Sequence, residues 1–438
     1  MIKRIFCLLL VCGVMLSLCG CDLFTADTAE LLSPPELSGE LYPIAKAINA
    51  SAGGEYTLKY ASRGNYRSAV VREDVDGDGI LEAFAFYGMI DGENVIMNIN
   101  LIRNDKNGWQ SVSIQKIVAG GVDKIEFCDL DGDGHKEILV GWEIYGTSEM
   151  QLAVYDVGKT TLTQRMLQKY THFTTCDLDE NDKNEILIIK TEAAEQKNLA
   201  SLFVLTKEGI SEVSSCELDS TAKTLNEPIV ATLSTGRPAI YIDEIKGVGA
   251  ITEVLFFEGG ALVNPLFSPD TRETTATLRP ISFKSKDVNG DGIIEIPVQE
   301  NVPSVTKGEV NEKLYLTNWC SFNGEKLTTQ TTAMINVNDG YSLVLPKKWV
   351  GKIAVLKDTD NQIREVYRYN PEDMSIGESL FYIRAVKKTS WDKGKYENEE
   401  AFEIVNDGET SYICKIFETA TTDGFNAETV KSNFAFIE

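Results

Sequence analysis

One nine-residue acidic segment occurs four times in this chain, and its spacing limits the available folds more than any other feature. The copies are Asp74 to Glu82 (DVDGDGILE), Asp129 to Glu137 (DLDGDGHKE), Asp177 to Glu185 (DLDENDKNE) and Asp287 to Glu295 (DVNGDGIIE). Each follows a strand-like run (SAVVRE, DKIEFC, THFTTC, ISFKSK) and precedes another (EAFAFY, EILVGW, EILIIK, EIPVQE). The unit is therefore strand, tight loop, strand. The first Asp residues lie 55, 48 and 110 residues apart, so the last interval holds two periods. A further unit is expected near residue 232. There PIVATL, the turn Ser234 to Pro238 and AIYIDE repeat the hairpin with its acidic loop cut to a plain turn.

A period of about 53 residues points to propellers or solenoids. Between the acidic hairpins lie VIMNINLI, SVSIQKI, QLAVYDV, LASLFVL, EVLFFE and KLYLTNW. They bring each unit to about four strands, the size of a propeller blade. The expected fold class is mainly β: a β-propeller of about five blades over residues 41–335, followed by a small α+β domain over residues 336–438. Helical periodicity is nearly absent between residues 51 and 330. A short helix is predicted from Pro43, with Ile44, Ala45 and Ile48 on one face. The stretch GEYTLKYA is expected to supply the strand that closes the ring.

The loops have the composition of a calcium site. Ca²⁺ takes six to eight oxygens. Alternate loop positions turn inward, so positions 1, 3 and 5 offer Asp74, Asp76 and Asp78; Asp129, Asp131 and Asp133; Asp177, Asp179 and Asn181; and Asp287, Asn289 and Asp291. Position 7 offers only its carbonyl, from Ile80, His135, Lys183 and Ile293, so the His135 imidazole is not a ligand. Position 9 adds Glu82, Glu137, Glu185 and Glu295. A cation converts the repulsion among these carboxylates into attraction. Position 6 needs φ > 0, which Gly79, Gly134 and Gly292 adopt more readily than Asp182. The third loop, with Asn181 and Asp182, is expected to be the weakest site. The fourth, with Asn289, has three carboxylates against four in the first two. The metal is expected to be structural, because no open catalytic arrangement accompanies it.

These loops resemble the FG-GAP or VCBS repeats of integrin-type propellers, whose D-x-D-x-D-G-x-x-D loops bind calcium between blade strands. The resemblance covers about residues 60–330. Glu replaces the family's usual last Asp, which leaves a carboxylate available. The resemblance implies a calcium-binding propeller. An EF-hand fits less well, because strands flank each loop.

The amino-terminal segment reads as an export address. Lys3 and Arg4 precede an apolar stretch from Ile5 to Leu18, too short for a comfortable spanning helix. It ends in Leu18, Cys19, Gly20 and Cys21, which resembles the bacterial lipobox. The resemblance implies that residues 1–20 are a signal peptide and that Cys21 is lipidated. Residues 21–40 are acidic, contain Pro34 and Pro35, and read as a tether. The expected location is extracytoplasmic, anchored to the cell membrane through the lipid. Cys7, Cys12 and Cys19 leave with the signal. Cys128, Cys176, Cys216, Cys320 and Cys414 form an odd, scattered set and read as buried small hydrophobes rather than a disulfide framework.

Beyond residue 335 the acidic loops stop. Phe381, Ile383 and Ala385, like Tyr412, Cys414 and Ile416, alternate as strands do. The run from Tyr341 through Pro346 to Trp349, followed by further strands, resembles the PsbP-like α+β fold and implies a small binding or scaffold domain. Trp349 and Trp391 are expected to pack in a core, and Lys347 and Lys348 to form a solvated turn.

Charge and composition narrow the function. Among 438 residues, 42 Lys and Arg oppose 66 Asp and Glu, a formal net charge of −24. This argues against nucleic-acid binding, which rests on basic patches. His135 and His172 are the only histidines, so multi-His metal sites and His relays are nearly excluded. No G-x-S-x-G, H-E-x-x-H, P-loop or G-x-G-x-x-G motif occurs. The expectation is a cell-surface calcium-binding module rather than an enzyme, serving binding, adhesion or envelope scaffolding, with a glycan, peptide or envelope protein as ligand. Two alternatives stand beside it. One is a secreted polysaccharide-active hydrolase working through a carboxylate pair. The other is a structural lipoprotein docking a partner through its C-terminal domain.

Overall fold

The computed structural model describes residues 39–92, 94–147, 149–192, 197–307, 314–358 and 363–437. The signal peptide, Cys21 and nearly all of the tether lie outside the described residues. The chain divides into two compact units. One comprises Met1–Asp129 with Asp133–Lys169, the other Leu130–Gly132 with Tyr170–Glu438. The structure is mainly β. Among the described residues no helix is long and apolar enough to cross a membrane.

In the first unit, helix α1 (Tyr42–Ala52) starts with Pro43 in its first turn and ends at Gly53 in the left-handed conformation. Its buried face is Ile44, Ala47 and Ile48, with Ala47 rather than Ala45 turned inward. The first sheet contains β1 (Thr57–Leu58), β2 (Val70–Glu73), β3 (Glu82–Asp91), β4 (Asn94–Asp105) and β5 (Gly108–Val118). The second contains β6 (Gly121–Cys128), β7 (Glu137–Glu143), β8 (Met150–Val157) and β9 (Leu162–Tyr170), paired in that order. Strand β3 is buried on both faces. Ala83, Ala85 and Tyr87 pack under α1, while Phe84 and Phe86 meet Ile138, Val140 and Trp142 of the second sheet. Aromatic and β-branched side chains suit such doubly covered strands.

The GEYTLKYA stretch corrects the ring-closing expectation. Strand β2 is short and pairs only with the start of β3, from Glu73 opposite Glu82 to Val70 opposite Ala85. The open edge beyond is taken by β1, with Leu58 opposite Tyr87 and Thr57 opposite Gly88. The segment therefore completes its own sheet.

In the second unit, β10 (His172–Cys176), β11 (Glu185–Glu192), β12 (Lys197–Thr206) and β13 (Gly209–Leu218) form the third sheet. The fourth contains β14 (Thr224–Leu225), β15 (Ile229–Thr232), β16 (Pro238–Lys246), β17 (Gly249–Glu258) and β18 (Ala261–Val263). The loopless hairpin expected near residue 232 is present as β15 and β16, closed by Leu233 N–H donating to the Arg237 carbonyl at 2.8 Å. A short ribbon, β19 (Phe267–Ser268) with β20 (Glu273–Thr274), follows. The third and fourth sheets pack through Leu187, Ile189, Leu202, Ile240, Ile242 and Leu255.

The run ISFKSK is not a strand, which corrects another expectation. Only Lys286 bridges to Glu295. Tertiary hydrogen bonds override its alternation: Ser285 gives its N–H and hydroxyl to Asp243 at 2.7 and 2.8 Å, and Arg279 Nε donates to the Phe283 carbonyl at 2.8 Å.

The fifth sheet runs β21 (Ile296–Val302), β23 (Leu314–Phe322), β24 (Leu327–Asn336), β25 (Tyr341–Val344) and β31 (Phe434–Phe436). Between β21 and β23, β22 (Ser304–Lys307) leaves to pair in parallel with β26 (Ile353–Asp358). That sixth sheet continues with β27 (Ile363–Asn370), β28 (Ser375–Lys387), β30 (Thr410–Ile416) and β29 (Phe402–Asn406). Short helices α2 (Lys388–Asp392), α3 (Glu418–Thr422) and α4 (Ala427–Asn433) accompany it. Trp349 is buried against Phe381 and Phe425, whereas Trp391 is half-buried beside Val386, Tyr396 and Ile413. Cys216, Cys320 and Cys414 carry free thiols; burial raises all three, Cys216 to about 12.

Candidate metal centre

Each acidic loop leads into a strand, β3, β7, β11 or β21. The first three follow its antiparallel partner, β2, β6 or β10, while the fourth follows only the Lys286–Glu295 bridge; similar hydrogen bonds shape all four. The position-1 Asp takes backbone N–H groups from farther along the loop. Gly77 and Gly79 donate to Asp74 at 2.8 and 3.0 Å, and Gly134 to Asp129 at 2.9 Å. Asn181 and Asp182 donate to Asp177 at 3.0 and 2.9 Å, and Gly290 and Gly292 to Asp287 at 2.7 and 2.8 Å. The position-5 side chain accepts the N–H of position 7, from Ile80, His135, Lys183 and Ile293. The position-9 Glu reaches back to the N–H of position 2, with Val75 donating to Glu82, Leu178 to Glu185 and Val288 to Glu295. These bonds hold the carboxylates close together before any ion arrives.

Two positions per loop have positive φ. Position 6 was legible from its glycines, but position 4 behaves alike: Gly77 at 71°, Gly132 at 74°, Glu180 at 60° and Gly290 at 78°. The signal was present in the sequence as the glycine recurring at position 4 in three copies. In the third loop both positions, Glu180 and Asp182 (64°), are filled by residues with a Cβ.

The loops bring their acids together to different degrees. Carboxylate oxygens of Asp74, Asp76 and Asp78 lie within 4.8 Å of one another, as do those of Asp129, Asp131 and Asp133, and those of Asp177, Asp179 and Glu185. Asp76 Oδ1 and Asp179 Oδ1 are buried without a hydrogen-bond partner, so these two position-3 side chains each keep an unengaged acceptor. All these donors are oxygens, the set a hard divalent cation takes. The position-9 carboxylates are buried, and burial raises the Glu82 and Glu295 carboxyls and pushes Glu185 up to about 7. A bound cation would oppose that shift.

The fourth loop differs. Asn289 Nδ2 donates to Asp291 Oδ2 at 2.9 Å and to Glu295 Oε1 at 3.3 Å, while its Oδ1 accepts the Asp291 N–H at 2.9 Å. The amide nitrogen thus bridges the two carboxylates. The backbone N–H of Gly292, above all, holds the Asp287 carboxyl below the usual range.

One contributor escaped sequence reasoning. Arg103, on β4, donates from Nη1 to Asp76 Oδ2 at 2.8 Å and Glu82 Oε1 at 3.0 Å. Its hydrogen bond is the largest cause of the lowered Asp76 carboxyl. The loops also touch, since Lys136 of the second donates its N–H to the Val75 carbonyl of the first at 2.7 Å.

Residues 62–140, which hold the first two loops, match the family model of the FG-GAP-like repeat. No curated protein matches the chain. Solved structures similar to it include a rhamnogalacturonan lyase from Bacillus licheniformis, at 14% identity and a TM-score of 0.31, covering 54% of this chain and 58% of that one. The periplasmic gluconolactonase of Pseudomonas aeruginosa is similar at 13% identity and a TM-score of 0.34, covering 73% and 86%. The Dos1 propeller is similar at 11% identity and a TM-score of 0.27, covering 71% and 79%. The chain thus spans a little over half the length of the lyase.

Proposed function

We propose that this chain is a lipid-anchored, calcium-stabilised binding module displayed outside the cytoplasm, with its successive sheets serving as the roughly five blades of an FG-GAP-type propeller. The reading rests on one observation. At the same place in three consecutive sheets, carboxylates converge on a point, and in two of these loops a buried oxygen is left without a donor. A calcium ion at each point supplies the missing positive charge and joins strands to one another. Its task is structural. Extracellular calcium modules bind at ~10⁻⁴–10⁻³ M, so each occupied loop adds about 1 kcal/mol of stability at millimolar calcium. Lipidated Cys21 and the acidic tether after it place the module at the membrane surface, where its ligand is a glycan, a peptide or an envelope protein.

Two measurements test this. Purified protein is titrated with Ca²⁺ by calorimetry and melted with calcium or chelator, and partners are captured from intact cells under both conditions. Uptake of calcium, a higher melting temperature with it, and chelator-sensitive capture support the reading. Absence of uptake with identical melting curves removes the metal from it. Capture unaffected by chelator assigns binding to a surface independent of the loops.

A further inference from the structure

The four acidic loops share a backbone but differ in the residue facing them across the sheet. In the first sheet Ala83 pairs with Ile102, so the next step sets Arg103 opposite Glu82. The pairs Ile138–Tyr155, Ile186–Phe203 and Ile296–Cys320 likewise set Asp156 opposite Glu137, Val204 opposite Glu185 and Ser321 opposite Glu295. Directly opposed residues project from the same face of a sheet. The residue across from the position-9 carboxylate is therefore a cation in one loop, an anion in another and neutral in two.

Arg103 is well placed to matter. Its side chain is 16% exposed and Glu82 is 3% exposed, so the pair is shielded from water. Both oxygens of Glu82 are engaged, Oε1 by Arg103 and Oε2 by the Val75 N–H. Asp76 gives Oδ2 to Arg103 and keeps only Oδ1. Arg103 Nη2 lies 3.5 Å from the Gly158 carbonyl, which braces the guanidinium from the turn between β8 and β9.

We propose that Arg103 is the resident cation of the first loop, holding the carboxylates of Asp76 and Glu82 together without metal, so that calcium enters this loop only against a fixed positive charge. The inference rests on the calcium reading above. It separates the first two loops, which have the same four acids by sequence. Arg103 offsets one of the first loop's four acidic side chains, the two it touches being Asp76 and Glu82.

The test compares wild type, Arg103→Gln and Arg103→Lys, each melted with chelator and with millimolar CaCl₂ and titrated with Ca²⁺ by calorimetry. Arg103→Gln should melt lower than wild type in chelator, because Asp76 and Glu82 lose their counter-charge. It should then show a larger calcium-dependent rise and at least a tenfold gain in affinity at one site. Adding Asp74→Asn should abolish that extra gain. Arg103→Lys keeps the charge, and should keep the wild-type response even if the Gln variant folds poorly. A Gln variant whose calcium response equals wild type overturns the role of Arg103, provided wild type itself binds calcium. If neither protein takes up calcium, the calcium reading fails and this inference with it.

Discussion

Glu244 on β16 stands diagonally across from Glu253 on β17, and the hydrogen-bond donors around the two carboxyls serve Glu253. Ile242 is the direct partner of Glu253 and Ile251 that of Glu244, which puts both acids on one face. Glu253 accepts from the Asp219 N–H at 3.1 Å, from Thr274 Oγ1 at 2.8 Å and from Asn264 Nδ2 at 2.8 Å. Glu244 is fully buried, and neither of its oxygens receives a donor. Burial first, and the charge of Glu253 next, push its carboxyl well above the usual range. Its buried setting and the neighbouring acids therefore favour the protonated form of Glu244 over the carboxylate.

The sign of the resulting pH dependence follows from linkage. A carboxyl raised on folding stabilises the fold fully below its unfolded value of about 4.3, and that contribution is lost as pH rises through the folded value. Asp219 and Asp243 add to the shift. Lys246 is held by Asp219 and Glu273 and does not bond Glu244. Unfolding measured upward from about pH 4 should show a loss of stability with rising pH that Glu244→Gln removes, since an amide donates without ionising. The same loss in the variant would place its origin elsewhere.

Arg279 and Asp243 form a second buried arrangement, on the opposite face of β16. Arg279 Nη2 meets Asp243 Oδ1 at 3.0 Å, and Nη1 donates to Thr252 Oγ1 at 2.9 Å. Both side chains are closed to solvent, at 0% and 3% exposure. Removing one partner of such a pair strands the other, at about 3–5 kcal/mol. Arg279→Met should lower stability by about that amount in denaturant titrations. Adding Asp243→Leu should recover part of it, because no unpaired charge remains. A double variant no better than the single would show that packing, not the stranded carboxylate, sets the cost.

How far these features were readable depends on whether they are local. The acidic loops were legible because positions 1 to 9 sit on one short stretch whose own backbone turns the side chains inward. The hidden hairpin at Ile229–Lys246 was legible from period alone. Arg103 was not, because the β3–β4 hairpin sets its distance from Glu82, and that register appears only once the strands pair. ISFKSK misled because Ile281, Phe283 and Ser285 alternate as a strand would, while the hydrogen bonds that prevent it come from Asp243 and Arg279. Glu244 ends the run AIYIDE, and nothing local to it shows that the fold closes over it.

The third loop carries a removable strain. Glu180 and Asp182 adopt φ of 60° and 64° where the first two loops have glycines at 71° to 86°. A left-handed residue with a Cβ costs about 1–2 kcal/mol, and glycine returns about 0.5–1 kcal/mol of that in backbone entropy. Asp182→Gly should therefore stabilise by about 0.5–1 kcal/mol in chelator. Gly79→Ala and Gly134→Ala should do the reverse. No heavy atom lies within 4 Å of a Cβ built at either glycine, so conformation rather than crowding would set their effect. Alanine variants as stable as wild type would show that the left-handed geometry is not required.

Asp423, in the turn between α3 and α4, gathers three donors from elsewhere in the chain: Trp349 Nε1 at 2.7 Å, Arg368 Nη2 at 2.7 Å and Lys348 Nζ at 3.1 Å. The Trp349 hydrogen bond, then Lys348 and Arg368, hold its carboxyl down at about 2. A depressed carboxyl stabilises the fold above its unfolded value of about 3.9 and ceases to do so as pH falls through the folded one. Trp349→Phe keeps an aromatic ring beside Phe381 and Phe425 but cannot donate to Asp423. It should melt below wild type at neutral pH, with the gap narrowing between about pH 4 and about pH 2 as the carboxylate is protonated. Asp423→Asn should narrow the same gap at neutral pH. A Trp349→Phe deficit that stays constant across the acid range would mean that ring packing, and not the indole N–H, ties this turn to the sixth sheet.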